Sequence, residues 1–409
     1  MSGSWRDLPS HRGWLDAELE RLLRFAPDPS HPLGGYAMLD GQGRAEVAAP
    51  VHTWITARMT HVHALAHLRG RPGSTRWVDH GVAALTGLLW DDEHGGWFAS
   101  VAADGTPDGT KDAYQHAFVV LAASSATAAG RPGAAALLDT ALDVVAARFL
   151  DDTAGRLVES YDRAWTRCEA YRGANSNMHA VEALLAAGDV TGDERWHAWA
   201  RRIATALIDE VARAHGWRVV EHFDADWTPL PEHHRDQPDH PFRPYGVTPG
   251  HQLEWARLLL HLEAGWADAP GWLLPAARAL FAAAVDRGWA ADGSPGLVYT
   301  LGWRDEPVVT HRMHWVVAEG IAAAAALHER TGDEAYEDWY RRLWDHAAEV
   351  FLDREAGSWH HELDAQLRPV SGAGTWTGKP DLYHAVQATL LPQLRLAPSL
   401  ASQLAVAAG

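Results

Sequence analysis

The sequence predicts an all-α fold, an (α/α)6 barrel of twelve helices with short β-hairpins in the connecting loops, forming one domain over residues 1–409. Three observations carry this expectation. Apolar residues recur at helical rather than alternating spacing along most of the chain. Two kinds of helix alternate, one amphipathic and charged, the other rich in Ala and aromatics and poor in charge. A histidine recurs near the start of each helix of the second kind.

The amphipathic helices are expected at 15–25, 75–90, 131–150, 193–214, 270–289 and 333–352. Each is followed by a less charged helix, at 51–68, 112–129, 175–187, 249–264, 311–328 and 381–391, which makes six pairs. The second member of each pair carries His61, His116, His179, His251, His314 or His384, at separations of 55, 63, 72, 63 and 70 residues. A period of that length holds two helices and two connections, the mark of a repeated helical hairpin. The Gly/Asp-rich stretches 91–109, 151–165, 215–229 and 355–370 resemble small β-hairpins. An open solenoid would need polar end repeats, and neither the first nor the last pair is polar, so a closed ring is expected. In such a ring the low-charge helices line the inside and their N-termini converge on one mouth, where unpaired N–H groups and partial positive charge collect.

Composition narrows the function. The chain carries 35 Lys and Arg against 53 Asp and Glu, a formal charge of −18, which argues against nucleic acid or an anionic membrane as partner. No stretch is apolar enough to span a bilayer, no charged start precedes an apolar h-region, and Cys168 is the single cysteine. These features point to a cytoplasmic protein, monomeric or homo-oligomeric, acting on a small solute. The 21 Trp and 25 His stand well above ordinary usage. Much of the Trp excess is core packing, and the rest suits a cavity that stacks on sugar rings.

Several inner-helix residues are candidates for chemistry. In PGHQLEW, His251 and Glu254 share a helical face, and Glu254 is expected to bond one ring nitrogen of His251 and leave the other free to move a proton. Read alone, the pair serves equally well as a helix-start group satisfying backbone polar atoms. His384, in LYHAV, takes the corresponding place in the last repeat, and the two histidines form a plausible acid–base pair. In YRGANSNMHAVEA, Asn175 is either an N-cap or, with His179, a ligand for hydroxyls. Trp54, Arg58 and His61 lie on one face of TWITARMTHVHAL, where a buried arginine needs a carboxylate or a substrate oxygen as partner. Tyr114, Trp315 and Glu319 make similar offers. No HExxH, cysteine cluster, P-loop, G-x-G-x-x-G or G-x-S-x-G is present, so neither a metal nor a nucleotide cofactor is expected.

Taken together, PGHQLEWARLLL, YRGANSNMHAVEA, TWITARMTHVHAL and LYHAVQATLLP resemble the N-acylglucosamine 2-epimerase superfamily, over residues 10 to 395. Trp255 directly after Glu254 is similar to the aldose–ketose isomerase branch, which acts on sugars such as mannose and sulfoquinovose, rather than to the 2-epimerases. The resemblance implies a monosaccharide substrate, no metal or cofactor, and essential roles for His251 and His384. It also implies pocket positions for Glu254, Arg58, Trp54, Tyr114, Asn175, His179, Trp315 and Glu319. The expected reaction is mannose to fructose, and lyxose to xylulose, by proton transfer through a cis-enediol. His384 would take the C2 proton and His251 would handle hydroxyl protons. For sulfoquinovose, Arg243 would be the sulfonate ligand. A sugar 2-epimerase, a glycoside hydrolase using Asp112 and Glu319, and a sugar-binding protein without turnover are the alternatives.

Overall fold

The computed structural model describes residues 3–370, 374–375 and 377–408; the ends of the expected 1–409 span, residues 1, 2 and 409, lie outside the described residues. Six inner helices are present: α2 (Thr53–Leu68), α4 (Ala113–Ala128), α6 (Ala174–Thr191), α8 (Pro249–Ala264), α10 (His314–Thr331) and α12 (Tyr383–Leu390). Each packs on the next, and α12 packs back on α2, so the ring closes. Their faces are buried nearly all round, which is why these segments carry so little charge. The outer helices are α1 (Pro9–Phe25), α3 (Thr75–Thr86), α5 (Ala134–Arg148), α7 (Glu194–Ala204), α9 (Leu273–Gly288) and α11 (Glu334–His346). The chain continues from α7 and α11 into wider π-helical turns at Thr205–Ala212 and Ala347–Phe351.

The expected pairing of helices is shifted by one. Each inner helix packs against the outer helix that follows it, α2 on α3 through α10 on α11, and α1 packs on α12. The connections explain this. Inner-to-outer turns such as 192–193 and 332–333 are too short to let the helices separate, whereas the outer-to-inner connections are long and carry the hairpins. The N-terminal helix therefore completes the last hairpin of the ring. A thirteenth helix, α13 (Leu400–Ala408), has no counterpart among the expected twelve. It packs on α2, α4 and α6, burying Ala401 and Leu404. Among the described residues, no helix is long and apolar enough to cross a membrane.

The hairpins do more than connect. The two residues ahead of an inner helix pair antiparallel with the hairpin of the following connection. Val51 faces Val101, Lys111 faces Tyr161, Arg172 faces Phe223, Arg312 faces Leu363, and Val247 bridges Leu301. The first helical N–H groups then find acceptors on the hairpin: Thr53 donates to the Ala99 carbonyl, Ala113 to Glu159, Ala174 to Glu221 and His314 to His361. This register sets the height of the inner N-termini. It also brings one hairpin residue per repeat, two before the paired one, to the mouth of the barrel: Ala99, Glu159, Glu221, Tyr299 and His361.

Candidate active site

The inner N-termini surround a cavity of about 590 Å³. Trp54 and Arg58 of α2, Tyr114 of α4, Asn175 and His179 of α6, His251 and Glu254 of α8, Trp315 of α10 and His384 of α12 line it. Of the catalytic and pocket positions expected from the family resemblance, Glu319 stands outside; His61, Asp112 and Arg243, singled out on other grounds, do not line it either. The loop before α8 adds Pro241, Phe242 and Pro244, and the ring supplies Tyr299, His314, His361, Pro380 and Asp381.

The two histidines are each held by a carboxylate. His251 Nδ1–H donates to Glu221 Oε1 at 2.9 Å, and His384 Nδ1–H donates to Glu319 Oε1 at 3.0 Å. Since an ionised carboxylate only accepts, both rings carry their proton on Nδ1 and keep Nε2 as the remaining basic nitrogen. The Trp315 ring lies beside both imidazoles, with centroids 5.1 Å from His251 and 5.9 Å from His384. Burial, reinforced by the Arg58 charge, holds His384 well below the ordinary histidine range, so it rests as neutral imidazole.

Two expectations need correction. Glu254 does not bond His251. The shared helical face brings the two near, but the His251 ring turns outward to the hairpin carboxylate of Glu221. Glu254 points inward, its Oε1 3.6 Å from His179 Nδ1 and 3.7 Å from an Arg257 nitrogen, and neither of its oxygens has a hydrogen-bond partner. Burial, with Glu319 nearby, pushes its carboxyl well above the usual range, so it favours the protonated form. Glu319, for its part, sits behind the cavity. One helical turn beyond Trp315 places it under His384, where its second oxygen accepts from Arg257 Nε at 2.9 Å.

Arg58 has the carboxylate partner weighed for it, and a phenol besides. It donates to Asp381 Oδ2 at 3.2 Å and to the Tyr114 hydroxyl at 2.8 Å, and its guanidinium lies against Phe118, Tyr383 and Trp54, at 4.4, 4.8 and 4.9 Å from the ring centres. His314 and His361 stack face to face with centroids 3.7 Å apart. Asn175 is not an N-cap, a place taken by Gly173; its amide reaches the Phe242 carbonyl at 3.4 Å. Two of the six repeating histidines serve structure instead. His116 donates to the Asp112 carbonyl and accepts from the Trp97 N–H, and His61 bonds Ser125 deep in the ring.

Asp112 caps α4 through the Gln115 N–H and faces a separate outer chamber, so it forms no carboxylate pair with Glu319 in the cavity. Arg243 pairs with Glu169 at 2.8 and 3.0 Å and lies 4.0 Å over the Tyr171 ring, already committed. His179, Glu182 and Glu254 offer ligand atoms within 4.8 Å of one another. A cation there would compete with Arg257, which lies 3.7 Å from both glutamates, and Glu182 already accepts from Tyr383 and Gln387. Glu221, Tyr299, His361 and Asp381 escaped the sequence reading. The first three share one signal, the hairpin position two before the strand partner.

A family model for N-acylglucosamine 2-epimerase matches residues 34–388. The chain is 59% identical to D-mannose isomerase of Thermobifida fusca, over 98% of each protein. It is 52% identical to D-mannose isomerase of Pseudomonas cannabina pv. alisalensis, over 98% of this chain and 97% of the relative. A crystal structure of D-mannose isomerase superposes with a TM-score of 0.88 at 28% identity, over 94% of this chain and 99% of the other.

Proposed function

The chain belongs to the N-acylglucosamine 2-epimerase family, and from that premise we propose that it is a cytoplasmic aldose–ketose isomerase converting D-mannose to D-fructose, with lyxose as a second substrate. The whole chain is read as one catalytic domain. The observation that carries the reading is the pair of carboxylate-held imidazoles flanking Trp315 at one cavity.

In the proposed reaction the sugar ring stacks on Trp315, and His251 moves the proton between the anomeric hydroxyl and the ring oxygen as the ring opens. His384, resting neutral, takes the proton from C2; Glu319 balances the imidazolium that forms. Negative charge developing on the carbonyl oxygen is met by the Arg58 guanidinium and, as a donor, by protonated Glu254. His384 then returns the proton at C1, while His251 takes the hydroxyl proton from O2 and delivers one to O1, which yields the ketose. Every step is carried by a side chain.

The substrate is read as an uncharged sugar. Arg58 is the one guanidinium lining the cavity among the described residues, and Asp381 and Tyr114 occupy it. Residues 371–376 supply no Lys or Arg by sequence. Sulfoquinovose therefore lacks a sulfonate ligand here. The test is incubation with mannose in D2O. Fructose carrying deuterium at C1 is expected. Glucose without fructose would replace isomerisation by 2-epimerisation, and no product from mannose or lyxose would overturn the reading.

A further inference from the structure

Glu221 lies on the hairpin that precedes α8, two residues before the strand partner Phe223. Its backbone carbonyl accepts the Ala174 N–H at the start of α6, which fixes its position in the mouth. The side chain is 3% exposed, and its carboxylate accepts from His251 Nδ1–H at 2.9 Å. The other histidine partner differs: Glu319 shares its charge with Arg257 at 2.9 Å. One imidazole thus has a carboxylate to itself, and the other shares its carboxylate with Arg257.

We propose that Glu221 is a positioning residue that makes His251 the carrier of the hydroxyl protons, by fixing Nδ1–H and compensating the imidazolium formed when Nε2 takes up a proton. This rests on the isomerase reading above and adds to it the origin of the unequal roles of the two histidines. The surroundings leave that charge to His251. Tyr171 and Tyr299 feel the Glu221 charge, and burial keeps both phenols protonated. His179, which faces His251 from α6, is held well below the ordinary range by burial, and Glu254, one turn further along α8, favours its protonated form.

The test is Glu221→Gln, which keeps size and removes charge, measured beside Glu221→Asp. Removing a triad-like carboxylate leaves the imidazole free to adopt the wrong tautomer. We expect kcat on mannose to fall by about 10²–10⁴-fold with KM changed less than about threefold, by the scale known for such partners. The acid limb of the pH profile should move to lower pH. The isotope effect with mannose deuterated at C2 should shrink, because ring opening becomes slow. Glu221→Asp should recover activity relative to Gln. A loss of activity with an unchanged pH profile and isotope effect, or a change in KM alone, overturns the proposal and leaves Glu221 a structural residue. If Glu221→Gln fails to fold, an unaltered pH profile and isotope effect in Glu221→Asp does the same. Failure of wild type to convert mannose would instead overturn the isomerase reading; the proposal then stands or falls on the downfield His251 Nδ1–H proton resonance, expected in wild type and lost in Glu221→Gln.

Discussion

Gly250 lies flat against the indole of Trp315: a β-carbon built on it would stand 2.3 Å from Cζ3 and 2.6 Å from Cη2 of that ring. Val316 blocks retreat in the other direction, with Cγ2 at 2.8 Å. Since Trp315 touches both His251 and His384, Gly250→Ala must displace the ring that spaces the two imidazoles. Overpacking of this kind costs about 1–3 kcal/mol. The barrel should tolerate that, whereas kcat should fall at least about tenfold, because sub-ångström placement governs proton transfer. Steady-state kinetics beside a melting curve checks it; a normal kcat would mean that the position of Trp315 does not matter.

Arg257 holds three carboxyl groups in one place, Glu254 and Glu319 buried and Glu182 partly so. Its Nε bonds Glu319 at 2.9 Å, and Glu182 and Glu254 lie 3.7 Å from its other nitrogens. Replacing one partner of a buried pair leaves an uncompensated charge and costs about 3–5 kcal/mol. Arg257→Leu should therefore unfold at markedly lower denaturant concentration. Adding Glu319→Leu should return part of that loss, since the carboxylate left unpaired at Nε is removed while Glu182 and Glu254 stay in place. Urea denaturation of the single and double variants measures the coupling. Equal midpoints for the two would show that Glu319 is not the principal partner.

The barrel was legible because its pattern is long and repeated. Six low-charge helices each announced themselves by an early histidine, and at four of them, His179, His251, His314 and His384, the side chain does reach the cavity. What escaped was set by contacts between distant segments. Spacing within one helix suggested Glu254 as the partner of His251, yet rotamer and register decided for Glu221, thirty positions earlier on a hairpin whose pairing no local pattern reveals. The same holds for α1, whose partner α12 lies at the other end of the chain. α13 is short and apolar all round, with little periodicity to read.

Many histidines in this fold are buried neutral, which gives stability a defined pH dependence. In the unfolded chain they take up protons near 6.5. In the native fold burial lowers His61, His261, His314 and His346 to about 4, and His63, His116 and His222 to about 3. Across that window the unfolded state binds more protons, so stability falls as pH drops from 6.5 towards 3. Buried carboxyl groups oppose this: burial raises Glu159 to about 7, so its contribution is lost as pH rises from 4.5 to 7, and burial also raises Glu254, Asp112 and Asp189. With about 1.4 kcal/mol for each unit of displacement, the histidines dominate. Calorimetry should show a falling Tm below pH 6.5. His63, stacked on Tyr36 with no hydrogen-bond partner on either nitrogen, offers the sharpest variant. His63→Phe should flatten the acid slope, and an unchanged slope would refute the assignment.

Charge at the cavity also predicts which sugars are refused. Asp381 lines it, and Glu221 and Glu319 stand directly behind the two histidines, while Glu254 favours its protonated form. Against them, Arg58 is already shared between Asp381 and Tyr114, and Arg257 is occupied by Glu319. A phosphate dianion entering this space loses its hydration and meets no unengaged guanidinium or ammonium among the described residues, a cost of several kcal/mol. Mannose 6-phosphate should accordingly be turned over with kcat/KM at least about 10³-fold below that of mannose, since each 1.4 kcal/mol is tenfold. It should also fail to inhibit at millimolar concentration. Lyxose, which lacks the hydroxymethyl group at C6 and carries no charge, should keep measurable turnover, which separates an effect of charge from one of size. Efficient isomerisation of the phosphate would mean that Arg58 leaves Asp381 on binding, and Asp381→Asn should then raise that activity further.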